Sequence, residues 1–369
     1  MSRYLSGDGY VIEYPNRLAY AGMPALVSVS RADDYIGVSV TITIDGSVYV
    51  EKRSIYSGGA TFDISRYMQT AFVGKDLSVG YGDEQTRRTN LAQDVEIAVV
   101  LTADDGSAEE ALTFDVKALC GYIAYGQTNG GVKYRKVYAN YPQTFDFYST
   151  SDTSLSVVYD NGEEYDIEPL SIEGGIEQTA IELSRWWSVP SDARSGVLKG
   201  NNVMWLVGDN ELEGDCEYRL SIDRSTSGVY IRWIDHFGQW CYYLFRVTGE
   251  NYTAQELQTW MNSALRDGAT AVNNVVQSPN FLNQEMEVQH TISLGAKLVD
   301  AETFDFLLSF ITSSRVEVML NAEDYQEDST TMPVWERVNI VAGSYARTGA
   351  HLQDFMVSIA RTAHKSTMR

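Results

Sequence analysis

The chain has 369 residues, 44% hydrophobic and 21% charged. That is room for roughly two or three domains with cores of their own, and it is the composition of neither a disordered polymer nor a membrane protein. With 28 Lys and Arg against 50 Asp and Glu the net charge is −22, a field that repels phosphate backbones and anionic lipid and so excludes nucleic acid and membrane surfaces as general partners.

Tyr is frequent at 24, while Pro (7) and His (4) are scarce, so the composition leans to strands and away from the usual catalytic equipment. Met1 to Tyr10 lack a basic start followed by an apolar stretch, and no window approaches the roughly 18 apolar residues of a spanning helix. The expectation is a soluble chain made in a cytoplasm. Cys120, Cys216 and Cys241 are odd in number and widely spaced, which predicts buried reduced thiols, not a disulfide framework or a metal site.

In chain order, Val38 to Ile44 alternates apolar and hydroxyl residues, and Asp45-Gly46 turns it into Val48 to Val50, a β-hairpin. Thr61 to Met68, Asp94 to Leu101 and Ala111 to Val116 continue the series as strands, the last two flanking the Asp104-Asp105-Gly106 turn. This spacing is that of a β-sandwich. A second set runs from Leu119 to Tyr125 and through a hairpin of Ser154 to Tyr159, Asp160-Asn161-Gly162 and Glu164 to Glu168. Residues 151 to 178 hold eight acids and no Lys or Arg. They read as a solvated edge, since their spacing is not that of a calcium loop.

Tyr218 to Ile222, Gly228 to Ile234 and Gln239 to Phe245 are aromatic strands, the last two joined by an Asp235-to-Gly238 turn. Thr253 and Glu256 have capping-box spacing, and Leu257, Trp260, Met261 and Ala264 form a stripe, which predicts an amphipathic helix over 253–266. Met286 to Leu294 is a strand. Asp300 caps a second helix carrying Phe304, Leu307, Leu308 and Ile311. Strands at Arg315 to Leu320, Trp335 to Val341 and Leu352 to Ile359 follow. The last nine residues hold three basic groups and no acid, either a disordered tail or a segment that docks on an acidic neighbour. The fold class is mainly β: tandem Ig- or fibronectin-like β-sandwich domains over 1–118 and 119–249, then a C-terminal α+β assembly module with two helices over 250–369.

No phosphate-binding glycine loop, nucleophile elbow or paired-histidine zinc motif is present, so no catalytic residue, metal or cofactor is assigned. His236, beside Asp235, is the best isolated acid–base candidate and reads better as an edge histidine. A glycosidase needs only two carboxylates across a cleft, and no pair can be singled out here. Trp186, Trp187, Trp205, Trp233 and Trp240 are either core or a sugar-stacking platform, with Trp186 and Trp187 the glycan contacts in the second case.

Val229 to Phe245 resembles a pattern in structural proteins of tailed phages and prophages of Bacteroides-like hosts: an aliphatic-Arg-Trp-aliphatic strand, a Gly-containing turn and an aromatic strand ending in Phe. Arg232, Trp233, Gly238, Tyr243 and Phe245 carry the likeness, with Asp235 where that pattern has Asn. Phe62 to Met68 followed by Phe72, and the closing third with Ser313-Ser314, Val316 to Leu320 and Pro333-Val334-Trp335, are similar to the same group. The resemblance implies a virion structural protein of a tail, distal-tail, baseplate or tail-ring assembly. It would work through protein interfaces with copies of itself in a ring, a hexamer or higher multiple, and with other tail proteins. The alternative is a carbohydrate- or receptor-binding β-sandwich module on the particle.

Overall fold

A computed structural model describes residues 3–7, 9–57, 59–73, 75, 81, 85–88, 92–123, 131–149, 155–167, 179–183, 189–207, 210–261, 281–327, 331–343, 345, 348–361 and 364–367. The chain divides into two compact units. Met1–Thr226, Ile234–Tyr242 and Ala322–Pro333 make the first, and Ser227–Trp233, Tyr243–Asn321 and Val334–Arg369 the second.

In the first unit, strands β1 (Arg3–Gly7), β2 (Tyr10–Tyr14), β3 (Leu18–Tyr20), β4 (Leu26–Ser30), β5 (Tyr35–Ile44), β6 (Ser47–Ser54) and β7 (Ala60–Asp63) precede a short helix α1 (Ser65–Thr70). Then come β8 (Gln85–Arg88), β9 (Ala92–Ala103) and β10 (Leu112–Leu119). Two sheets result, ordered β1-β2-β4-β7 and β3-β10-β9-β5-β6. The period-two pattern fixes their register: Val40 faces Val99 and Ile42 faces Ile97 across β5 and β9. These residues join Ile12, Val27, Val29 and Phe62 of the other sheet in one buried cluster, a β-sandwich-like arrangement. Each such side chain contributes about 1.5–3 kcal/mol of burial. The Asp45-Gly46 turn has positive φ at both residues, 50° and 74°, the two-residue hairpin geometry that matches strand twist.

Strands β11 (Val132–Tyr138), β12 (Phe145–Ser149), β13 (Leu155–Tyr159), β14 (Glu164–Ile167), β15 (Thr179–Leu183), β16 (Ser195–Val207) and β17 (Asn210–Asp223) follow. Their sheet is ordered β11-β17-β16-β12-β15-β8, with the β13–β14 hairpin branching from β16. Phe145, Phe147, Leu155, Val157, Leu198, Tyr218 and Leu220 form its core.

The second unit is built on β18 (Val229–Ile234), β19 (Trp240–Met261), β20 (Phe281–Val299), helix α2 (Ala301–Ile311) and β21 (Val316–Met319). A third helix α3 (Ala322–Glu327), counted with the first unit, precedes β22 (Trp335–Ile340), β23 (Gln353–Ala360) and β24 (His364–Thr367). The order β19-β18-β21-β22-β23-β20 closes on itself because β19 also pairs β20, which makes a six-stranded barrel, and β24 adds to β20. Asp300 caps α2 as its sequence predicts, its side chain accepting from the Thr303 N–H at 2.7 Å. Phe304, Leu307 and Phe310 are the buried face of that helix.

The chain is mainly β, as read from composition and pattern. Four local readings change. The strand at Thr61 ends at Asp63, whose Oδ1 accepts from the N–H groups of Ser65 and Ala25 at 3.0 and 3.3 Å and so turns the chain into α1. The strand read over Leu119 to Tyr125 ends at Leu119; 120–123 is irregular, and the remainder lies outside the described residues. The helix read over 253–266 is a strand as far as Met261, and 262–266 lie outside the described residues. Its ladder with β20 runs from Arg246 opposite Gly295 to Met261 opposite Phe281, and this long run of cross-strand pairs overrides a capping-box spacing that is only a local preference. Finally, His364–Thr367 of the basic tail pairs with β20 of the same chain, Lys365 in register with Glu287.

Candidate functional site: the aromatic hairpin

β18 and the start of β19 form the hairpin on which the sequence reading centred. Its stem, in the second unit, is a packed wall. Arg232 stands opposite Glu317 of β21 in the ladder, and its Nη2 and Nε lie 2.6 and 2.7 Å from Glu317 Oε2. Arg315, two residues before Glu317 and so on the same strand face, donates from Nε to Oε1 at 2.6 Å. Only 2% of the Arg232 side chain and 4% of the Glu317 side chain are exposed, so the pair has little access to solvent. The Arg232 guanidinium also lies 4.2 Å from the Trp335 ring centroid, a cation–π contact that offsets part of its desolvation.

Trp233 is fully buried, with its ring centroid 5.1 and 5.4 Å from those of Phe306 and Phe310 on α2. Its indole N–H donates to Ser309 Oγ at 2.9 Å, and that hydroxyl donates onward to the Phe306 carbonyl. Tyr243 packs on Phe245, and Phe245 on Phe310. The hydrogen-bonded indole and the paired charges fix the barrel wall in one arrangement.

The turn, in the first unit, is held by Asp235. Its Oδ1 accepts from the N–H groups of Phe237 and Gln239 at 2.9 and 3.0 Å, and its backbone N–H donates to the Gln239 carbonyl at 2.9 Å. Gly238 has φ +76°, and a Cβ there would run into the Cys120 carbonyl oxygen. Glycine is therefore required at this position on two counts. Tyr122 N–H donates to the His236 carbonyl at 2.6 Å.

Beside the turn, Asp146 Oδ2 accepts from Trp240 N–H at 2.9 Å, and the Asp146 carbonyl accepts from Gln239 Nε2 at 3.2 Å. Lys133 Nζ donates to Gln239 Oε1 at 3.0 Å. Burial holds the Lys133 amine below its ordinary value, and burial with the Asp235 charge pushes the Cys241 thiol well up. Burial also lowers the His236 imidazole, whose ring centroid lies 4.0 Å from that of Phe237, the two planes tilted by 42°. A cavity of about 10 Å³ lined by Gln143, Asp146, Gln239, Cys241 and Tyr242 has room for one water and not for a substrate.

Each of Arg232, Trp233, Gly238, Tyr243 and Phe245 therefore has a packing or backbone role. Trp233 and Trp240 are core, whereas Trp186 and Trp187 lie outside the described residues. Cys120, Cys216 and Cys241 are free thiols, Cys216 and Cys241 buried as expected and Cys120 only half-buried. Glu317, Arg315, Asp146 and Lys133 were not found from sequence, because their partners lie far along the chain (85 residues for Arg232 and Glu317, 106 for Lys133 and Gln239) and no local pattern marks them. Among the described residues no cluster of His, Cys, Asp or Glu is placed to hold a metal, and no helix is long and apolar enough to cross a membrane.

No family model matches the chain, and no curated protein does. Solved structures that align with it include fibronectin(III)-like modules of Clostridium thermocellum CbhA (12% identity, 61% of this chain and 95% of that one, TM-score 0.19). The YadV chaperone aligns at 9% identity (57% and 99%, 0.20), and the I67–I69 fragment of titin at 10% (77% and 93%, 0.16).

Proposed function

We propose that the chain is a virion structural protein, a subunit of a phage tail, baseplate or tail-ring assembly that acts through protein–protein interfaces and not as an enzyme. On this reading tandem Ig- or fibronectin-like sandwiches carry a C-terminal α+β assembly module. The partners are copies of the chain in a ring, a hexamer or higher multiple, and other tail proteins, and the product is made in the host cytoplasm and ends in the virion.

One observation carries the reading. After Phe245, β19 passes from fully buried residues to exposed ones, with Val247 44% and Tyr252 63% exposed. Yet it continues to Met261 paired with β20, with bulges at Val247/Gly249 and around Gln258. β18, six residues long, flanks only the first part of β19, so the outer edge of this arm has no strand partner among the described residues. A long, exposed, unpaired strand edge is costly in an isolated protein and is the usual template for strand addition by another chain. The −22 charge and the closely packed hairpin agree with a partner that is protein.

Quantitative mass spectrometry of purified particles tests the reading. It expects this chain in fixed multiple-copy ratio to the other tail proteins. Its absence from particles, in a lysate that contains the free protein, would overturn it.

A further inference from the structure

We propose that Lys133 and Gln239 condense to an intramolecular isopeptide bond that ties β11 to the turn before β19. Lys133 Nζ and Gln239 Oε1 are 3.0 Å apart, and Gln239 is 4% exposed. The Gln239 side chain is held at both ends: Oε1 by Lys133, and Nε2 by the Asp146 carbonyl. The lysine amine sits 5.4 and 5.6 Å from the ring centroids of Tyr218 and Phe237, with no carboxylate in salt-bridge contact among the described residues.

An amine fixed against an amide in an aromatic, desolvated site has the proximity that replaces a bimolecular encounter. Burial lowers its affinity for a proton, and the neutral amine is the nucleophile. In the reaction Nζ attacks Gln239 Cδ, the Cδ–Nε2 bond breaks and the Nζ–Cδ bond forms. The proton lost by the amine leaves on Nε2 as ammonia, so no oxidant, metal or co-reactant is consumed. Asp235 is the carboxylate that acts electrostatically on Lys133. Its Oδ1 accepts from two backbone N–H groups and its Oδ2 from the Cys241 thiol, at 3.6 Å, so the carboxylate is fixed and acts through its charge, which favours the positive nitrogen that forms when Nζ attacks. An Asn in its place would supply the same Oδ1 acceptor and no charge.

Intact-mass measurement and peptide mapping of the purified full chain test this. The expected result is a mass lower than the sequence mass by one ammonia, together with a branched peptide joining Lys133 to Gln239. Asn161-Gly162 loses the same mass when it cyclises, so the branched peptide is the deciding signal, and it must vanish in Lys133→Arg. In Asp235→Asn, with the fold verified by circular dichroism, the branched fraction should fall at least several-fold. Recovery of Lys133 and Gln239 only in separate, unmodified peptides of the wild type would overturn the proposal. Undiminished cross-linking in Asp235→Asn would overturn the electrostatic role given to Asp235.

Discussion

Glu317→Gln is the sharpest probe of the barrel wall. The substitution keeps the side-chain shape and removes the charge that Arg232 meets at 2.6 and 2.7 Å and Arg315 at 2.6 Å. At an effective dielectric of about 20, two unit charges 2.7 Å apart attract by about 6 kcal/mol, and the desolvation of both groups offsets much of this. The loss of one partner is nevertheless asymmetric, because Arg232 stays buried and loses the carboxylate that faces it, and such changes cost about 3–5 kcal/mol. The Trp335 ring recovers at most about 2 kcal/mol of that. With a urea dependence of about 1–3 kcal/mol per molar, the midpoint of the second unit should fall by about 2 M. A chain of two units need not unfold in one step, so the assay is amide exchange at Val229–Trp233 and Val316–Met319 against urea. Replacing both partners, as Arg232→Met with Glu317→Leu, should restore most of the loss. A cost below about 1 kcal/mol for Glu317→Gln, or a double variant worse than either single, would refute the reasoning.

Gly238→Ala places a side chain at positive φ against the Cys120 carbonyl, and should lower stability by about 2–3 kcal/mol or more, read as a drop in the melting temperature of the first unit. Tyr159→Phe removes a buried hydroxyl that has no hydrogen-bond partner among the described residues and whose pKa burial pushes up to about 12. The variant should be as stable as the wild type or up to about 1 kcal/mol more so, and a clear loss in urea would contradict the structure. His236 titrates below its ordinary value because burial disfavours the imidazolium. The unfolded chain therefore binds a proton through about pH 6.5 that the folded chain does not. Stability should fall as pH drops below about 6.5 and level off beneath the folded value, with a shallower slope in His236→Asn, measured by thermal melts across that range.

Much of the fold was legible. The alternation in Val38 to Ile44, the Asp45-Gly46 and Asp160-Asn161-Gly162 turns and the Asp300 cap each carry their cause within a few residues, and all stand in the structure. The 253–261 segment misled because Thr253, Glu256, Leu257 and Trp260 satisfy a helical spacing, while the deciding partners, Phe281 to Gln289, lie beyond a long intervening segment. Closure of the barrel was invisible for the same reason, since it depends on β19 meeting β20 as well as β18. At the hairpin the residues singled out from sequence take packing or backbone roles, and the partners that give them those roles carry no local signal. That Arg232 needs Glu317 and Trp335, and that Gly238 needs the Cys120 carbonyl to pass, are long-range facts. Lys133 carried no sequence signal, because a lysine in an alternating strand reads as an exposed one.

Assembly is measured most directly by mass photometry with negative-stain imaging of the purified full chain over a range of concentrations. Closed rings of six subunits or a multiple are expected, formed by the chain alone or on addition of its tail partners. A monomer at every concentration, with no ring on addition of those partners, would contradict it.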